Sequence, residues 1–499
     1  MEILTKGGMS VLFNSLKFAA FFPMVVLAYW VLPHKLRNLM LLAASYLFYM
    51  CWNPKYALLM LFSTGVTWAA GLAIQKGATA AAKKWAVGSS LVLNLAVLAL
   101  FKYSGFLIEN LNALRSALGL EGAFSGFSLL LPVGISFYIF QAVGYTMDVY
   151  RGEIEAEKNF LTYALFVSFF PQLVAGPIER SANMLPQFKT VHRFSYDQAK
   201  AGLVQMLWGY FQKLVIADRL ALLVDAVYQQ PERFGTVPLL LAVIFFALQL
   251  YCDFSSYSDI AIGSAKVMGF DLMQNFKSPY LSASIGEFWD HWHISLSSWF
   301  QDYLYIPLGG SRKGTARTCL NLMIVFLVSG LWHGAAWTFV VWGALHGGYS
   351  VLSRLSRGPR EKLCQALHIR RSSGLHRFLC VLLTFGFTSL AFVVFRAESL
   401  PQAGAVFRGL LRWDAAPLGG TGFEGLGLDA ADFWVALAAV LVLLICDLLR
   451  KKHGPLTPLL MQKPLAVQWA VLLGGILTIV VFGMYGAGYV EKPFIYFQF

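Results

Sequence analysis

Charge is scarce in this sequence. Of 499 residues, only 13% are Asp, Glu, Lys or Arg. A soluble globular protein carries about 25%. So few charges cannot solvate the whole surface, and part of it must face lipid. With 58% hydrophobic residues and a mean hydropathy of +0.61, disorder and a fibrous fold are excluded as well. Cysteine is sparse: six are present, none in a CxxC pair, and most lie within or beside apolar runs. Neither a disulfide framework nor a zinc site is indicated. GxSxG, GxxxxGK[ST] and HExxH are missing, which removes the nucleophile elbow, the phosphate loop and the zinc protease helix. His291 and His293 do not suggest a metal either, because helix positions i and i+2 face different sides. No internal repeat or long linker marks a second domain, so 1–499 reads as one membrane domain.

What is present is a series of apolar runs. A span needs about 20 mostly apolar residues. Candidates lie near 11–32, 36–52, 56–74, 85–102, 126–149, 200–225, 237–262, 318–334, 336–353, 378–395, 432–449 and 466–486. The run at 159–178 contains Pro171, Gln172, Gly176 and Pro177 and is followed by Glu179 and Arg180. A broken segment survives at membrane depth only under a cover of protein or a polar cavity, so it reads as re-entrant. The net charge of +13 comes from short basic loops between runs, which fits cytoplasmic loops and not nucleic acid. Placing the clusters at Lys35/Arg37, Lys76/Lys83/Lys84, Arg180/Lys189/Arg193, Arg312/Lys313/Arg317, 354–377 and Arg450/Lys451/Lys452 inside makes the spans alternate. The Gly-rich loop 396–431, with Asp414, Glu424 and Asp429, then falls outside, as do both termini. The first run is followed by HKLRN and lacks an A-x-A site, so it reads as a retained span. Met9-Ser10 looks like a natural start.

Ionisable groups at membrane depth are costly and are functional candidates by default. Asp148, Asp253, Asp259, His291, His293, His333 and His346 form that list. Taken as a helix, 287–303 puts Trp289, Trp292, Leu296, Trp299 and Tyr303 on one face and His291, Ser295, Ser298 and Asp302 on the other. Such an amphipathic helix suits an interface or an internal lining. His293 lies at the border of the aromatic face; a packed histidine bonded to a carbonyl would look the same. His333 lies in GLWHGAAW. Its small neighbours either let helices approach closely or leave room for a substrate. His346, in WGALHGGY, has a similar setting and reads as support or as a catalytic group.

FWDHWHISLSSWFQDYLYIPLGGSR, followed forty residues after His293 by GLWHGAAWTFVVWGALHG, resembles the membrane-bound O-acyltransferase family. The likeness is to its bacterial branch that O-acetylates exported polysaccharides such as alginate. It covers nearly the whole chain, with ASYLFYMCWNPKY, LPVGISFYIFQAVGYTMDVYRG, FFPQLVAGPIERS, LYCDFSSYSDIAIG and KPFIYFQF in the same style. Core motifs then occupy about 131–350 and C-terminal helices 378–499. The resemblance implies an all-α polytopic membrane protein. It implies a ring of about 11–12 tilted transmembrane helices around a thinned central tunnel, with re-entrant and interfacial amphipathic helices.

His333 is then the catalytic histidine and His293 the second marker. Trp289, Trp292, Trp332, Asp253, Asp302 and His346 are candidates for binding substrate or lining the tunnel. Relatives commonly carry two basic residues before WH and an Arg before DY, where this chain has Asp290, His291 and Gln301. A contact to an anionic donor is then expected elsewhere, with Arg312 and Lys313 as candidates.

The resemblance further implies acyl transfer, most simply of acetyl, from a cytoplasmic thioester across the membrane. Acetyl-CoA is the expected donor substrate, with no bound cofactor and no recognisable CoA motif. The acceptor is an exported polysaccharide, reached directly or through an extracytoplasmic SGNH-type partner. The aromatic end Lys492–Phe497 is a candidate docking surface for that partner, or a plain interfacial anchor. The location is the bacterial cytoplasmic (inner) membrane, with lipid as the surrounding partner. Two alternatives stand: D-alanyl transfer to teichoic acid by a related branch whose members lack the long region 396–465, and a transporter or flippase. The latter calls for two similar halves of the chain, which are not visible.

Overall fold

The computed structural model describes residues 11–120, 122–125, 129–413, 425–486, 489 and 492–495. Met9, Asp414, Glu424 and the chain end from Tyr496 lie outside the described residues. Among the described residues the regular structure is helical, with no strand. Seven helices among the described residues are long and apolar enough to cross a membrane: Pro54–Lys76, Ala80–Ala117, Thr236–Val267, Gly314–His333, Gly374–Arg396, Ala430–His453 and Leu465–Phe482. Of the other expected spans, 336–353 forms the 19-residue helix Trp337–Leu355, and the rest form shorter or interrupted helices, such as Leu16–Val31, His34–Met50 and Ile135–Arg151. Leu465–Phe482 has only 6% of its apolar window buried and exposes Val471, Leu477 and Val481. Apolar surface of that extent requires lipid cover. The protein is a polytopic membrane protein.

The chain divides into two compact units, Met1–Leu203 with Ile260–Met273, and Val204–Asp259 with Gln274–Phe499. In the first unit, the expected re-entrant segment is indeed broken. Helix Phe160–Ser168 stops, and a four-residue turn, Phe170–Leu173, follows. The groups freed at the break are satisfied by protein. The Phe166 carbonyl accepts from the Gln141 amide at 2.6 Å and the Gln172 amide at 2.9 Å, and the Phe170 N–H donates to the Ser45 hydroxyl at 3.0 Å. That is the condition for irregular backbone at membrane depth.

The second unit contains all the histidine and tryptophan candidates. Two expectations fail here. Residues 287–303 do not form one helix: Ile285–His291 and Ile294–Phe300 are separate, and a π-helical turn, Gln301–Tyr305, follows. Nor is 396–431 an open loop throughout, since it begins with helix Leu400–Arg412, which buries Ala403, Ala405 and Val406. Its apolar residues repeat at helical spacing and find a surface to cover, which reading by charge overlooked.

Candidate active site

The break before helix Ile294–Phe300 is made by His293, whose φ is +44°. Few non-glycine residues adopt this left-handed conformation. Asn275 holds the chain around it. Its main-chain carbonyl accepts from the Ile294 N–H at 3.0 Å. Its side-chain oxygen accepts from the Ser295 hydroxyl at 2.6 Å, and its amide donates to Ser258 at 3.0 Å. Strained backbone that the surroundings over-determine clusters at functional sites.

The preceding helix is fixed at its start by a reciprocal cap. Ser284 accepts from the Glu287 N–H at 3.1 Å, and Glu287 accepts from the Ala283 N–H at 2.7 Å. Partial burial alone would raise the Glu287 pKa, but the Ala283 N–H, Lys451 and Arg377 outweigh it and hold the carboxyl below its usual range. This anchors the helix that carries Trp289, with Trp292 directly after it.

His333 is the last residue of helix Gly314–His333, and the chain restarts as Trp337–Leu355. The small residues of GLWHGAAW now have a packing role. A Cβ on Gly330 would stand 2.2 Å from the Phe339 carbonyl oxygen, and one on Gly334 2.1 Å from the Phe339 ring. On the facing helix, a Cβ on Gly343 would stand 2.3 Å from the Phe326 carbonyl oxygen. The two backbones therefore touch, and this close approach brings His333 against Trp342.

Six of the eight candidates share one aromatic cluster. The His293 ring meets Phe254 at 4.6 Å and Trp332 at 5.9 Å between centroids. Trp332 lies 5.0 Å from His333. His333 meets Trp342 at 4.9 Å and Phe395 at 5.4 Å. Trp342 continues to His346 at 4.9 Å, and Trp289 closes the group at 5.0 Å from His346. Trp292 backs the cluster, stacked on Phe288 at 5.4 Å and 5.5 Å from Phe392. His293 and His346 are fully buried, while His333 keeps 6% exposure. Of the three, His333 is the one with residual access.

Asp253 and Asp302 stand elsewhere. Asp253 accepts from Lys213 at 2.6 Å and from the Ile495 N–H at 2.7 Å, and Lys213 also pairs with Asp218 at 2.9 Å. It belongs to a buried ion-pair network. Asp302 lies half-buried on the π-helical turn. Residues 492–495 lie beside this network: Lys492 pairs with Asp225 at 2.7 Å, Phe494 and Ile495 are buried, and Phe494 lies against Lys213. The part of Lys492–Phe497 that is described is thus tucked into the second unit and is not an open docking surface. Arg312 and Lys313, the candidates for an anion contact, are exposed.

Sequence reasoning did not single out Trp342, Phe254, Phe395 or Asn275. Trp342 was within reach, since it lies one helical turn before His346. Nothing in a single sequence marks Asn275.

Aromatic rings around a buried histidine inside a polytopic helical protein suit chemistry kept from bulk water. The sequence profile of MBOAT, the membrane-bound O-acyltransferase family, matches residues 155–394. Matches to known proteins extend this over almost the whole chain, which belongs to that family and is an O-acyltransferase. The chain is 35% identical over 497 residues to the probable alginate O-acetylase AlgI of Pseudomonas putida, covering 96% of this chain and 98% of that one. It is 40% identical over 390 residues to the probable alginate O-acetylase AlgI of Azotobacter vinelandii, covering 78% and 75%. To the peptidoglycan O-acetyltransferase of Helicobacter pylori it is 35% identical over 455 residues, covering 85% and 83%.

Proposed function

We propose that this O-acyltransferase moves an acetyl group from a cytoplasmic thioester, acetyl-CoA, across the bacterial inner membrane to hydroxyls of an exported polysaccharide. Transfer runs directly or through an extracytoplasmic SGNH-type partner. Both termini lie outside in this reading. Three relatives named for O-acetylation support the acetyl group, and two of them support an alginate-like acceptor.

His333 acts as the general base. A hydroxyl is a weak nucleophile at neutral pH, and a neutral imidazole can take its proton as the new bond forms. The hydroxyl oxygen bonds to the acyl carbon, the C–S bond breaks, and His333 returns the proton to the departing thiolate. The residue's place at a helix C-terminus favours the transient imidazolium, because unpaired carbonyls there carry partial negative charge. Trp332, Trp342 and Phe395 exclude water, which limits thioester hydrolysis. His293, on the other side of Trp332, orients the acceptor or stabilises the oxyanion.

The single observation carrying this reading is the 6% exposure of His333 inside an otherwise closed aromatic cage. The test is proton NMR of acetyl esters on the host's exported polysaccharide, in wild type and a His333→Ala strain with matched membrane levels. Loss of the signal at unchanged polymer yield is expected. An unchanged signal removes His333 from the role, and D-alanyl esters on teichoic acid are then the signal to measure.

A further inference from the structure

Two apolar helices, Trp337–Leu355 and Gly374–Arg396, are joined by a connection whose middle is itself a helix, Arg357–Ala366. Only Ser356 separates it from the helix before. It has ten residues, and none of them is buried. An isolated helix shorter than about 12–15 residues is marginal in water even with good helix formers. Gly358, in its first turn, weakens it further. A helix this short with no buried face is stabilised by a surface to lie on, and the described residues supply none.

The pattern of its residues specifies that surface. Pro359, Leu363, Ala366 and Leu367 repeat at i, i+4, i+7 and i+8, which is one face of a helix. All four are exposed, Leu363 by 58% and Leu367 by 59%. The apolar surface continues onto both neighbouring helices through exposed Leu352, Leu355, Leu375 and Phe378. Around it, residues 354–377 carry seven Lys and Arg and a single acidic residue, Glu361. Glu361 is taken up within the segment, because Arg357 and Arg371 pair with it at 3.3 and 3.1 Å. The second of these pairs folds the chain back after His368, whose φ is +52°. The side chains of Arg354, Lys362 and Arg370 have no partner among the described residues. An exposed apolar face beside unpaired cations matches an anionic lipid surface, with acyl chains for the leucines and headgroups for the cations. The segment is also held at such a surface, since Gly374–Arg396 directly after it is long and apolar enough to cross a membrane.

We infer that helix Arg357–Ala366 and the turn after it form a docking surface for anionic phospholipid. Leu363 and Leu367 enter the acyl layer, and Arg354, Lys362 and Arg370 meet the headgroups. The surface belongs to the leaflet that residues 354–377 face, and it does not depend on the acyl-transfer chemistry. Each cation near an anionic surface favours docking by about fivefold, so three give on the order of a hundredfold. Salt screens this attraction.

The test is amide hydrogen exchange of the full-length protein in nanodiscs of phosphatidylcholine alone and of phosphatidylcholine mixed with phosphatidylglycerol. The amides exchange when the helix leaves its surface and frays, so their rates report docking. In wild type, the amides of 361–369 should exchange about tenfold or more slowly in the anionic discs, and high salt should remove the difference. The triple variant Arg354→Gln, Lys362→Gln, Arg370→Gln should lose the difference between the two lipids. The double variant Leu363→Ser, Leu367→Ser should exchange fast in both. All five positions are exposed, so both variants should keep the thermal midpoint of wild type. Equal protection of wild type in the two lipids overturns the inference, as does a charge variant that keeps the difference. Fast exchange of wild type in both lipids overturns it too, and leaves the face to a protein partner.

Discussion

Lys213, Asp218 and Asp253 are as deeply buried as Trp342 and His346, and all five belong to the same compact unit. Their surroundings differ in kind. In the first group, the ammonium lies 2.6 Å from one carboxylate and 2.9 Å from the other, and Asp253 also takes the Ile495 N–H. In the second, nitrogens face aromatic rings and have no partner among the described residues. A buried charge survives only when paired, and the pairing fixes the elements that supply the two partners. Buried neutral donors can persist without partners at a smaller cost, and they remain available to something that arrives. Ionisable character at depth therefore identified two regions and did not distinguish their roles. The pairing differs: the Lys213 network binds the Ile495 N–H, and the histidine–tryptophan cluster holds the residues proposed for the chemistry.

The comparison breaks most sharply at His333. His333→Ala should lower acetyl transfer by about 10²–10⁴-fold or more, the usual contribution of a positioned base; initial rates at matched protein level measure it. Lys213→Met should act on stability instead. It leaves two buried carboxylates facing each other, at a cost of about 3–5 kcal/mol. A large drop in thermal midpoint is expected, with recovery when Asp218→Asn and Asp253→Asn are added. If Lys213→Met abolished transfer at an unchanged midpoint, the network would belong with the chemistry and the distinction would fail. Gly330→Ala forces a methyl onto the Phe339 carbonyl, and overpacking of this kind costs about 1–3 kcal/mol. Since the same crossing seats His333 against Trp342, transfer and thermal midpoint should fall together. The smallest effect belongs to Lys492→Ala. Its pair with Asp225 is partly exposed, so about 0–1 kcal/mol is expected, shrinking further in high salt.

Much of this is legible in the sequence. Pro171, Gly176 and Pro177 inside an apolar run announced a broken segment, and the structure breaks there. GLWHGAAW and its forty-residue spacing from His293 carried the family. Other features were not legible, for identifiable reasons. Residues 287–303 have helical periodicity throughout, yet the chain breaks at His293 because Asn275, distant along the fold, binds the backbone there. Periodicity reports side-chain faces and is blind to a tertiary hydrogen bond that turns one φ positive. Asp253 had the mark of a membrane-depth carboxylate, and its pairing with Lys213 from another helix is invisible in the sequence. The glycines around His333 allowed both a packing and a substrate reading; only the facing carbonyls of Phe339 and Phe326 show how close the two helices come.

The sequence by itself determined that the chain lives in lipid, that it is helical, and which family of acyl transfer it belongs to. Those follow from composition, from runs of apolar residues and from short motifs, all of which are local. The tertiary structure alone decided which buried polar groups pair with each other and which are left facing aromatic rings. Pairing at 3 Å depends on side chains far apart in the chain meeting with a definite geometry, and no local pattern contains that information.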